Sequence, residues 1–201
     1  MLKIPIQIAI ILGTRPEAIK LAPVIQLFQN YPDFKTLVIL TGQHKEMVAQ
    51  VMKLFDINPN QDLAIMQTRQ TLTDIMCRSL QGLEELFLQL QPKLVLVQGD
   101  TSTTFAAALA AFYQKIPVGH LEAGLRTNNL FNPYPEEVNR RLISQIAQLH
   151  FAPTTLAVEN LQKSGVLGKV YQTGNTVIDA LLKVAKSQAI CHINGLDWFK
   201  Y

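Results

Sequence analysis

Leu94-Val95-Leu96-Val97-Gln98-Gly99-Asp100-Thr101-Ser102-Thr103-Thr104-Phe105-Ala106-Ala107-Ala108-Leu109-Ala110-Ala111 is the stretch that decides the fold. Its first five residues form a short apolar run, as expected of a strand buried on both faces. A Gly-Asp turn and a cluster of hydroxyls follow. The alanine-rich run that comes next has side chains small enough for a helix to lie close against a sheet. Outward from this unit the same alternation repeats. Strand-like runs occupy residues 6–12, 36–40 and 117–121, with weaker ones at 148–151 and 170–172. Helical patterns occupy 16–29, 45–55, 71–90, 103–113, 135–149, 153–162 and 176–186. Strands alternating with helices imply crossover units and a largely parallel sheet, so the expected fold is α/β: a Rossmann-like, doubly wound domain.

The chain has 201 residues, of which 48% are hydrophobic and 16% charged. That suits a globular domain with an appendage. The formal charge of +3 is too small to argue for nucleic acid as a partner. Cys77 and Cys191 lie far apart and outside any CxxC or Cys/His ligand spacing, so no disulfide framework or metal site is signalled, and a reducing cytoplasm fits best. The apolar run after Ile6 stops at Gly13 and is followed by Arg15 and Glu17, which reads as a first buried strand rather than a leader or a membrane span. Residues 58–70 and 127–133 carry turn-forming Asn and Pro and are candidate lids or site loops. The helix at 176–186 places Val177, Leu181 and Val184 on one face, whereas 187–201 has no clear period.

In such a sheet the carboxyl ends of the strands and the starts of the following helices share one edge, where ligands bind. Three acids fall at that edge: Asp100 after one strand, Glu122 after another, and Glu136 at the start of a helix. Each also has a purely structural reading. Asp100 suits a helix N-cap, Glu122 a pair with Arg126, and Glu136 a favourable place in the helix dipole. Gly13-Thr14-Arg15-Pro16-Glu17 has the form of a capping box with proline in the first turn. Arg15, with Lys20 one helical turn further on, suits a phosphate or carboxylate at that helix start. Thr41-Gly42-Gln43-His44 brings further polar groups to the same edge, or is an ordinary strand-to-helix turn. His120 is left unassigned, and Asn175 is read as a helix cap. There is no GxGxxG after the first strand and no GxxxxGK[ST], so a dinucleotide oxidoreductase and a P-loop hydrolase both lose their main support.

Together, GTRPEAIK (13–20), GQH (42–44), GDTSTT (99–104), PVGHLEAGLRT (117–127), PYPEEVNR (133–140) and TGNTVIDALL (173–182) resemble the non-hydrolysing UDP-N-acetylglucosamine 2-epimerases, in family order. The resemblance implies an isomerase that interconverts UDP-N-acetylglucosamine and UDP-N-acetylmannosamine for surface polysaccharide synthesis. In that family two Rossmann-like domains face each other across a cleft, and homodimers are usual. The family's acids fall on Asp100, Glu122 and Glu136, and its arginine and lysine on Arg15 and Lys20. Gln43 and Arg69 are implied for a regulatory substrate site. No metal or other cofactor is implied, and the partner is the UDP-sugar. Against the family, residues 1–172 are read as the amino-terminal domain, 173–186 as the helix leading to an absent second domain, and 187–201 as a tail unlike the family. The family's catalytic histidine and most of its uridine and diphosphate contacts would lie in the missing half.

The chemistry explains why several acids are wanted. Carbon 2 of an N-acetylhexosamine adjoins no carbonyl, and the resemblance implies the family's solution, elimination and re-addition: as the bond from carbon 1 to the diphosphate breaks, positive charge builds there and acidifies the carbon 2 hydrogen. Re-protonation on the opposite face, with return of UDP, gives the epimer. Three readings follow from the sequence: an epimerase active alone or completed by a separate chain carrying the second domain, a non-catalytic remnant that binds sugar nucleotide or dimerises, and a glycosyltransferase-like protein of the same architecture.

Overall fold

The computed structural model describes residues 4–43 and 45–186. Met1, His44, Cys191 and the whole 187–201 tail lie outside the described residues. The elements run β1 (Ile6–Leu12), α1 (Arg15–Gln29), β2 (Phe34–Leu40), α2 (Lys45–Leu54), β3 (Gln61–Asp62), α3 (Leu72–Leu90) and β4 (Leu94–Gln98). They continue with α4 (Ser102–Tyr113), β5 (Val118–Leu121), α5 (Glu136–Ile146), β6 (Leu149–Ala152), α6 (Thr155–Lys163), β7 (Lys169–Gln172) and α7 (Thr176–Lys186).

The strands form one seven-stranded sheet in the order β3-β2-β1-β4-β5-β6-β7, with every pairing parallel. Chain order reverses between β1 and β4, so the crevice of the doubly wound fold opens beyond Leu12 and Gln98. Alternation along β1 sorts the core into layers. Ile8, Ile10 and Leu12 pack with Leu21 and Ile25 of α1, Val51 and Met52 of α2, and Ala180 of α7. Ala9 and Ile11 face the other way, onto Leu83 and Phe87 of α3, the alanines of α4, and Ile143 of α5. The five alanines Ala106, Ala107, Ala108, Ala110 and Ala111 are wholly buried, because α4 sits on the sheet with α3 and α5 on its flanks. Beyond the crevice, Ala123, Ala152, Ala157 and Leu161 seat α6 in a third apolar cluster.

Several boundaries differ from expectation. α5 stops at Ile146 because Ala147 turns extended, which frees Leu149 to begin β6. The loop expected over 58–70 contains an edge strand: the Asn60 backbone N–H donates to Val38 O, and the Asn60 side chain accepts from Val38 N at 2.7 Å. An amide side chain standing in for backbone leaves no signal in hydropathy. On α7, Ala180 and Val184 pack inward, while Ile178, Leu181 and Leu182 are more than half exposed. Leu181 therefore does not share the buried face with Val184, since it stands about 100° around the helix from Ala180.

Two glycines are fixed by close approach. A Cβ at Gly13 would lie 2.2 Å from Thr41 Oγ1, where the β1 and β2 ends converge. At Gly124, with φ +91°, it would lie 2.2 Å from the Ala157 carbonyl of α6.

Candidate active site

At the end of β1, Glu17 is nearly inaccessible and accepts the backbone N–H groups of Gly13 (2.6 Å) and Thr14 (2.8 Å) and the hydroxyls of Thr101 (2.6 Å) and Thr104 (2.8 Å). The expected capping acid thus ties the start of α1 to the start of α4 across the crevice. Thr103 Oγ1 donates to Gln43 Oε1 at 3.2 Å, which places Gln43 beside the same lock.

One strand over, Asp100 is not a cap. Thr101 caps α4 by accepting from Thr104 N, which leaves the Asp100 carboxylate free to point elsewhere. Side chains from three elements hold the three successive carbonyls of the turn. Thr104 Oγ1, sharing its one hydrogen with Glu17, lies 3.0 Å from Gln98 O, His120 Nε2 meets Gly99 O (2.7 Å), and Asn139 Nδ2 donates to Asp100 O (2.8 Å). The carboxylate itself meets Arg140 at 2.7 Å.

Glu122 has φ +60°, a left-handed conformation that is strained for a residue with a side chain and is typical of functional turns. The purely structural reading paired it with Arg126, but Arg126 turns instead to Leu125 O and Ser144 Oγ. Lys20 Nζ reaches both Glu122 oxygens, at 2.8 and 2.6 Å. Asn175 Nδ2 donates to Oε1 at 2.9 Å, and Gln98 Nε2 donates to Oε2.

Glu136 opens α5, half-buried. Its neighbour Glu137 is the structural acid of the pair. Glu137 is fully buried and accepts from Arg141 (2.7 Å) and from Thr127 N (2.9 Å), anchoring the loop that precedes α5. The electrostatics of Asp100 show the convergence of the acids. Burial pushes its carboxyl above the usual 3.8; Arg140 opposes this, Glu122 and Glu136 add to it, and Lys20 opposes it. Asp100, Glu122, Glu136, Lys20 and Arg140 therefore share one electrostatic neighbourhood at the carboxyl edge of β4 and β5. Arg15 stands exposed at the first residue of α1. Arg69 is exposed on the segment between β3 and α3, at φ +57°, and among the described residues no hydrogen bond or ion pair joins it to the acids or to Gln43. No group of three or more metal-ligating side chains occurs among the described residues.

A protein family described as UDP-N-acetylglucosamine 2-epimerase matches residues 26–195. The chain belongs to this family. It is 53% identical over 175 residues to the UDP-N-acetylglucosamine 2-epimerase of Escherichia coli K12, covering 87% of this chain and 46% of that protein. To the enzyme of the same name from Bacillus subtilis it is 50% identical over 177 residues, covering 88% of this chain and 47% of that one. A crystal structure of the UDP-GlcNAc 2-epimerase of Neisseria meningitidis bound to UDP-GlcNAc superposes with a TM-score of 0.87 at 51% identity, over 90% of this chain and 49% of that chain. The chain spans about half the length of the curated relatives it matches.

Within the epimerase fold, the sequence reading missed Gln98, Arg140 and Asn175 as partners of the acids. Gln98 had one signal, as an amide ending an otherwise apolar strand that is buried on both faces. Arg140 had another, four residues after Glu136 on one helix. Asn175 gave none beyond its suitability as a cap. Among the described residues no helix is long and apolar enough to cross a membrane.

Proposed function

We propose that this chain forms the amino-terminal half of a non-hydrolysing UDP-N-acetylglucosamine 2-epimerase, with residues 1–172 as the domain and 173–186 as the helix leading to the second. The substrate is UDP-N-acetylglucosamine, whose carbon 2 proton leaves as the bond from carbon 1 to the diphosphate oxygen breaks. The C–H electrons form the carbon 1–carbon 2 double bond, and UDP departs with the oxygen's electrons. A proton then adds to carbon 2 from the opposite face and UDP returns to carbon 1, giving UDP-N-acetylmannosamine. Asp100, Glu122 and Glu136 supply the proton transfers and stabilise the positive charge at carbon 1. Arg15 and Lys20 face the anionic part of the substrate, with Lys20 doing so while paired to Glu122.

The observation that carries this reading is the gathering of paired acids at one edge, with Asp100 on Arg140 at 2.7 Å and Glu122 on Lys20 at 2.6 Å; burial foremost, then Glu122 and Glu136, pushes the Asp100 carboxyl up against the pull of Arg140. A carboxyl whose protonated form is easier to reach than in an ordinary aspartate, beside other carboxyl groups, suits an acid/base pair. A cytoplasmic setting accords with Cys77 being an exposed free thiol. Gln43 and Arg69 are the proposed regulatory contacts, and a homodimer is the proposed assembly. A second reading, a folded remnant without turnover, is supported by the exposed Ile178, Leu181 and Leu182 of α7.

The test is conversion of UDP-N-acetylglucosamine to its manno epimer by this chain alone and mixed with a separately expressed second half of a relative. Product in either preparation, lost in Asp100→Asn, is the expected result. No product in both would overturn the epimerase reading and leave the remnant.

A further inference from the structure

Beside Glu122, Asn175 commits each of its two polar atoms to a different element. Its Oδ1 accepts from Val177 N at 3.1 Å, capping α7, and its Nδ2 donates to Glu122 Oε1 at 2.9 Å. The amide has a single orientation that satisfies both partners, since a flipped group would set a donor against the Val177 N–H and an acceptor against a carboxylate. Lys20 of α1 and Gln98 of β4 are the other donors to Glu122. α1 and α7 are themselves joined through Ala180 and Val184 in the shared core and through Lys183 Nζ donating to Gln26 Oε1. The turn before Asn175 is open, with Gly174 at φ +78° and no atom within 4 Å of where its Cβ would stand. The placement of Asn175 is therefore set by how α7 seats on α1.

We propose that Asn175 is a positioning residue, holding the Glu122 carboxylate from the start of α7 so that the seating of that helix fixes the charge that Asp100 faces. Its meaning for turnover rests on the epimerase reading of this edge; the contact itself does not. The charged groups of this neighbourhood are Lys20 from α1, paired with Glu122, Asp100 from the turn after β4, paired with Arg140 of α5, and Glu136 of α5, which acts on Asp100; Asp179 and Lys183 lie further along α7.

Asn175→Asp separates the two jobs of this side chain. Aspartate caps a helix as well as asparagine does, but it sets a second carboxylate against Glu122. Mutual repulsion penalises the doubly ionised pair in the folded chain relative to wild type, and protonation of either carboxyl relieves it, so the deficit is full at neutral pH and above and shrinks as pH falls. The thermal midpoint of the full chain is expected to lie about 4 °C below wild type at pH 8 and to approach it near pH 4. Asn175→Ala, which loses cap and donor alike, should show a deficit that does not close in acid. A cap-only role predicts Asn175→Asp equal to wild type at every pH, and that result would overturn the proposal. In any preparation that turns over UDP-N-acetylglucosamine, Asn175→Asp should lower kcat about ten-fold with KM little changed. An unchanged kcat would overturn positioning even where the stability deficit is present. The stability arm uses no substrate, so failure of the wild-type chain to turn over counts against the epimerase reading alone.

Discussion

Two neighbouring places on the same sheet edge carry a glutamate under opposite conditions. At the end of β1, Glu17 is 3% exposed and takes its four hydrogen bonds from backbone amides and hydroxyls, neutral donors of the fold itself. At the end of β5, Glu122 is held by a lysine and two amides, on a strained backbone, within electrostatic reach of Asp100. The first arrangement closes a seam between two helices and leaves nothing for a ligand. The second gathers charges of both signs at an open edge. Burial of an acid alone does not distinguish the two; the nature of its partners does.

Glu17→Gln should break the closed side most severely. The substituted amide can keep an oxygen on the Gly13 and Thr14 N–H groups, but its own N–H2 forces the Thr101 and Thr104 hydroxyls to turn from donors into acceptors and the charge that strengthens all four bonds is lost, at a cost of about 3 kcal/mol in urea unfolding. A loss under 1 kcal/mol would mean the lock is ornamental. His120 lies beneath the Asp100 turn and gives a comparable effect that depends on pH. Burial pulls its imidazole from 6.5 down to about 4, so the unfolded chain holds more protons between those values and stability falls as pH drops from 6.5 toward 4. The fall attributable to this residue is about 3 kcal/mol, and His120→Gln should flatten that limb of a stability-versus-pH curve. Glu122→Gln should cost less, about 1 kcal/mol, because Lys20 keeps partial access to water. A larger loss than that of Glu17→Gln would reverse the comparison.

The layered fold was legible because β1 and β4 are apolar on both faces and α4 is built of alanine, patterns that only a sheet covered on both sides explains. The acids were legible as residues following strand ends. Their partners were less so. Arg126 is the nearest cation to Glu122 in sequence, yet Lys20, far away on α1, is the one that pairs with it. Strand order brings the end of β5 close to α1, and no local spacing encodes that. Likewise Glu136 and Glu137 look alike in sequence, and only burial separates the half-exposed acid from the one that anchors the preceding loop. β3 escaped notice because two residues beside an asparagine carry no alternation.

The central claim is that Asp100 feels Glu122 and Glu136 together. The most direct measurement follows the Asp100 side-chain carboxyl carbon by NMR as pH is varied, in the wild-type chain, in Glu122→Gln and in Glu136→Gln. The account predicts a wild-type midpoint above 3.8 that moves down in each variant, because each removes a negative neighbour. A midpoint at or below 3.8 in the wild type, or one that neither substitution moves, would contradict it.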